Sequence, residues 1–133
     1  MRDTQRMSIR VVRLGSPKRK GEGVRLGTVR RPPRGVPKSR YAAENYFDVW
    51  LPNLAPSAEL MTSYRADDIT WERFAARYQS EMARPENSRL LDALAALSHQ
   101  SNFSVGCYCE DESRCHRGVL RRLLEKHGAY VEP

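Results

Sequence analysis

Residues 103–128, FSVGCYCEDESRCHRGVLRRLLEKHG, read as a strand, a polar turn and a helix, and they hold all three cysteines and two of the three histidines of the 133-residue chain. Phe103, Val105, Cys107 and Cys109 fall at every second position, the period of a strand with one face on a core. Cys107 and Cys109 are therefore expected on the same face. After Glu110, Asp111 and Glu112, Ser113 is placed to cap a helix whose apolar stripe is Val119, Leu120, Leu123 and Leu124 and which closes at Lys126, His127 and Gly128. That start puts Arg114, Cys115, His116 and Arg117 in the first turn. Unpaired N–H groups and the positive end of the helix dipole favour a thiolate or a bound anion there.

Working back from this unit, Leu90, Leu91, Leu94 and Leu97 recur at helical spacing behind an opening at Pro85 or Asn87. Trp71, Phe74, Ala75, Tyr78 and Met82 do the same behind Thr70, with Ile69 and Phe74 placed as a hydrophobic staple. Ser57 is the expected cap of a helix that runs to about Arg65. Upstream, Ile9–Leu14, Val24–Arg30 and the aromatic run Tyr46–Leu51 read as strands, the last of them buried. Residues 15–23 and 31–40 are expected to be basic loops, the second an extended one because Pro32, Pro33 and Pro37 break regular structure. Strands interleaved with helices give an α/β fold, a single domain over residues 1–133 with a small, partly parallel sheet flanked by helices. Residues 1–7 are expected to be disordered.

Charge is divided unevenly: residues 1–40 carry a net +11 and residues 41–133 a net −4. A basic third of this kind suits contact with a polyanion, so an anionic small molecule or a nucleic acid is the expected partner. No segment has the roughly 18 apolar residues of a membrane helix, and the N-terminus lacks the apolar run of a signal peptide. No membrane association and a cytoplasmic location are expected, with the three cysteines reduced.

The pattern of a strand cysteine, a short polar turn and Cys115-His116-Arg117 opening the last helix resembles the bacterial proteins grouped as domain of unknown function family 488, which include the YeaO-like proteins. Arg30 with Pro33-Arg34-Gly35, the stretch Trp50-Leu51 to Ala55-Pro56-Ser57 with Glu59-Leu60, and Phe74 with Tyr78 resemble the family in the same order. Pro32 and Cys109 depart from it, standing where members tend to carry Trp and Glu. The resemblance implies an α/β fold and no established activity.

Three readings of the cysteine turn compete. In the first, a small thiol enzyme acts on a phosphorylated or other anionic substrate, with Cys115 as nucleophile, His116 as general acid or base, Arg117 as anion clamp and Cys107 as a second thiol. Arg30, Arg34 and Arg114 are its candidate anion-binding residues, and no cofactor is needed. In the second, Cys107, Cys109, Cys115 and His116 hold zinc, although Cys115 and His116 on one helix would diverge by about 100°. In the third, the cysteines are core residues, His116 is a surface or capping residue, and Arg117 pairs with Glu110 or Asp111. A nucleic-acid-binding module using the basic third is a further alternative.

Overall fold

A computed structural model describes residues 7–133. The four strands are β1 (Ile9–Arg13), β2 (Val24–Gly27), β3 (Val49–Trp50) and β4 (Phe103–Cys107). They form one sheet in the order β1-β4-β2-β3, parallel at every pairing. The helices are α1 (Ala58–Arg65), α2 (Trp71–Met82), α3 (Pro85–Leu97) and α4 (His116–Lys126). The fold is therefore α/β, as expected. The expected disorder over residues 1–7 falls, except for Met7, outside the described residues.

β4 lies between β1 and β2 and is buried at every position, as a central strand of a parallel sheet covered on both faces is. One face of the sheet carries the helices. Ile9, Phe103 and Val105 share a core with Leu60, Phe74, Tyr78, Leu91, Leu120 and Leu124, and Val11 and Leu26 pack against it. The expected caps hold: Ser57 Oγ accepts from Leu60 N and Thr70 Oγ1 from Arg73 N, each at 3.1 Å. Pro85 opens α3.

Irregular chain covers the opposite face. Phe47 lies over Gly27, where a Cβ would collide with its ring, and Val12, Leu14 and Val29 complete a second small core with Phe47. Beside it, Arg25 is 1% exposed and donates through Nε (2.9 Å) and Nη2 (3.2 Å) to the Glu22 carboxylate, and through Nη1 to the carbonyls of Ser16 and Asn45. Ser104 Oγ donates to Glu22 Oε2 at 2.7 Å. Burial alone would raise the Glu22 pKa, but the hydrogen bonds from Arg25, Ser104 and Arg19 N outweigh it and hold the value at about 2. The 15–23 loop thus ends in a buried ion pair as well as carrying exposed charge.

Two expectations are corrected. The buried strand over Tyr46–Leu51 contracts to Val49–Trp50, both exposed at the sheet edge. Phe47 is used in the core against Gly27, and Asp48 holds Arg25 by its carboxylate, which accepts from Arg25 N, and by its own N, which donates to Arg25 O, each at 2.8 Å, so regular strand pairing begins only at Val49. The 31–40 loop contains a 3₁₀ turn at Lys38–Arg40 directly after Pro37. At the other edge, the carboxyl-terminal segment runs alongside β1, with Ile9 N bonded to Tyr130 O and Glu132 N to Ile9 O.

Candidate functional site

The site follows from the topology. After β1 the chain turns onto the helix-free face at Leu14, whereas after neighbouring β4 it passes to α4 on the helical face. The carboxyl ends of two parallel strands whose connections diverge in this way leave a crevice, the usual ligand position of an open α/β sheet. Cys107 is the last residue of β4.

Beyond it the local structure differs from the expected one. β4 ends at Cys107, so Tyr108 and Cys109 lie in an exposed turn and not on a strand face. Asp111 opens a 3₁₀ turn at Glu112–Arg114, its carboxylate accepting from Ser113 N (3.0 Å) and Ser113 Oγ (2.7 Å). Those two bonds hold the exposed Asp111 carboxyl below its ordinary pKa. Ser113 therefore caps no helix. Cys115 is extended, at φ −131° and ψ 147°, and precedes α4, which begins at His116. Gly118 allows the close fit, since a Cβ there would come within 2.5 Å of Glu112 O.

This geometry gathers the three cysteines: their sulfurs all lie within 4.8 Å of one another. Cys107 and Cys115 are 1% and 2% exposed, and Cys109 is exposed. The sulfurs of Cys107 and Cys115 meet as a disulfide pair, where three reduced thiols were expected, with Cα atoms 7.9 Å apart; Cys109 is free.

His116 is 6% exposed, a buried residue and not a surface cap. Its Nε2 lies 2.6 Å from Thr28 O, and since a carbonyl only accepts, the ring proton sits on Nε2. Nδ1 then presents a lone pair to Cys115 Sγ at 3.9 Å. Burial, helped by the nearby charges of Arg117 and Arg30, pushes the imidazole pKa down to about 4, so the ring is neutral at pH 7. Because Cys115 stands before the helix, the 100° divergence of adjacent helical residues does not separate the pair.

Arg117 is 5% exposed and makes no carboxylate pair among the described residues. Its Nη1 donates to Val12 O (3.2 Å) and Cys107 O (3.4 Å) and lies 3.9 Å from Cys107 Sγ, and Nη2 donates to Glu110 O (3.2 Å). The guanidinium thus ties β1, β4 and the turn together, which leaves little of it for clamping a substrate. Nε is buried without a partner among the described residues.

Of the arginines expected to bind anions, Arg30 donates to Pro56 O (3.0 Å) and Ala55 O (3.2 Å) and lines a cavity of about 120 Å³ with Arg31, Arg65 and Tyr108. Arg34 and Arg114 are exposed and do not line it. Several cations of the basic third are paired: Arg10 with Glu22, Arg19 with Glu132, Lys18 with Asp48 and Arg40 with Glu44. Sequence reasoning missed Thr28, whose contribution is a backbone carbonyl and leaves no side-chain signal. It also missed Arg65, although the spacing of Ala58, Met61, Thr62 and Arg65 marks one face of α1.

Comparison with known proteins places these features in a family. The chain is similar to an uncharacterized protein of Mycobacterium tuberculosis, 28% identical over 116 residues that cover 87% of this chain and 92% of the relative. It is likewise 30% identical to the uncharacterized protein YeaO of Escherichia coli over 88 residues, 65% of this chain and 73% of YeaO. No solved structure matches it. A family model described as the active DUF488-N3 subclade matches residues 9–128, a span that includes each strand and helix of the described residues and the whole cysteine turn, and the chain belongs to that family.

Proposed function

We propose that Cys107, Cys109 and Cys115 hold a thiophilic metal ion, zinc in first place, and that the chain works as a metal-thiolate enzyme on small anionic substrates. The convergence of three sulfurs within 4.8 Å carries this reading. Around a tetrahedral zinc with Zn–S of about 2.3 Å, ligand sulfurs stand about 3.8 Å apart, so the ion is seated once a thiol reductant supplies the two electrons that convert the Cys107–Cys115 pair to two thiolates. His116 resembles a metal-facing histidine: neutral, its Nε2–H fixed by a backbone carbonyl, its Nδ1 turned to the cysteines. It stands beside the fourth position, either as a ligand or as a base next to an open one. The Arg117 N–H group beside Cys107 Sγ suits a thiolate.

The second reading is a cofactor-free thiol enzyme with Cys115 as nucleophile and His116 as base, favoured by the 3.9 Å approach of Sγ and Nδ1. Its weakness is energetic. Moving a proton from a thiol of ordinary pKa, about 8.5, to an imidazole at about 4 is uphill by about 6 kcal/mol. A nucleic-acid interface would draw on exposed Lys20, Arg31, Arg34 and Lys38 among the described residues. Among the described residues no helix is long and apolar enough to cross a membrane.

Metal content of untagged protein, expressed with zinc available and gel-filtered, separates the two leading readings. Inductively coupled plasma mass spectrometry is expected to find about one zinc per chain, lost in Cys107→Ser, and cobalt substitution is expected to give thiolate-to-metal charge-transfer absorption. A folded, metal-free protein with three alkylatable thiols would overturn the metal reading and promote the thiol one.

A further inference from the structure

The cavity beside the cysteine turn has an unusual charge balance. Its lining comprises Arg30, Arg31, Arg65, Thr62, Tyr108 and the apolar Ala58 and Met61, with no carboxylate among them. Arg31 and Arg65 make no hydrogen bond or ion pair through their side chains among the described residues, and Arg30 spends Nε and Nη2 on carbonyls while Nη1 keeps its donors. Three like charges around about 120 Å³ repel one another unless an anion sits between them. The volume admits several waters, at about 10–15 Å³ for each, and so has room for a tetrahedral oxyanion. The cavity is tied to the cysteine turn through Tyr108, which stands between Cys107 and Cys109 in the chain, lines the cavity and donates its hydroxyl to Arg31 O at 2.9 Å.

We infer that Arg30, Arg31 and Arg65 form a subsite for a phosphate or phosphate-ester group, which holds a phosphorylated small molecule with its reacting part toward the Cys107–Cys109–Cys115 turn. The subsite deepens the metal-thiolate reading and rests on it only for the chemistry that follows binding. Arginine forks match phosphate oxygens bidentately, and donors left without partners lose no existing bond when they engage the ligand. Thr62 and Tyr108 already donate to Ala58 O and Arg31 O, so they shape the cavity and leave recognition to the arginines.

The test is a titration of zinc-loaded, isotope-labelled protein with inorganic phosphate at neutral pH and low salt, following the arginine Nε–H resonances. Saturable shifts are expected at Arg30, Arg31 and Arg65, with affinity at least tenfold weaker in Arg31→Gln/Arg65→Gln, whose exposed substitutions leave the circular dichroism spectrum unchanged. Titrations that do not saturate, or equal affinity in the double variant, would overturn the subsite. The Cys109→Ser protein keeps the two readings apart. Arginine-dependent binding that survives there supports the subsite whether or not metal is bound. Binding that is lost there but kept in the arginine double variant makes phosphate a ligand of the metal and overturns the cavity.

Discussion

Glu22→Gln is the sharpest test of how the helix-free face is held. The Glu22 side chain is fully buried against Arg25 and Ser104, and its pKa is held at about 2 against an ordinary 4.5. A depressed carboxylate pKa contributes stability that is present above 4.5 and is lost as pH falls toward 2. The 2.5-unit difference corresponds to about 3.4 kcal/mol at pH 7 and, by proton linkage, to about 1.4 kcal/mol at pH 3. Glutamine cannot titrate, so the stability gap between wild type and Glu22→Gln should narrow by about 2 kcal/mol between pH 7 and pH 3. Urea denaturation of both proteins across that range, with equal m-values as the check on two-state behaviour, measures the gap directly. Other carboxylates titrate equally in both proteins and cancel in the difference. A gap constant to within about 0.5 kcal/mol would refute the argument and place the ion pair's worth elsewhere.

Two further outcomes follow from local geometry, alongside the metal-content and phosphate experiments above. Gly118→Ala gains about 1 kcal/mol of helix propensity but sets a methyl within 2.5 Å of Glu112 O, so net destabilisation with weakened metal binding is expected, and a stabilised variant of full metal content would contradict the packing of the turn on α4. Tyr78→Phe removes the buried hydroxyl that donates to Leu54 O at 2.6 Å and is expected to cost about 1–3 kcal/mol in chemical denaturation, with zinc content unchanged because phenylalanine keeps the ring that packs on His116.

The helices and the central strand were legible because their determinants are local. Ser57 and Thr70 sit next to the N–H groups they cap, and Leu91, Leu94, Phe74 and Tyr78 repeat at the helical period. Phe103, Val105 and Cys107 alternate along β4, so its core-facing side needs no distant partner to be read. Charge and composition, together with Cys107, Cys115 and His116 lying within ten residues, were also enough to mark one turn as the place where chemistry concentrates. What the sequence left open depends on atoms distant in the chain. Thr28 O fixes the His116 tautomer from 88 residues away, and Arg117 reaches Val12 O across 105. The Asp111–Ser113 turn displaces Cys115 from the helix and turns its sulfur toward Cys107 and Cys109, although no periodicity in the sequence predicts that displacement. Arg25 reads as one more cation in a basic stretch until the sheet places Ser104 beside it and Glu22 beneath both. Periodicity and caps are set by neighbours along the chain, whereas protonation, burial of charge and convergence of ligands are set by neighbours in space, and only the folded sheet supplies those.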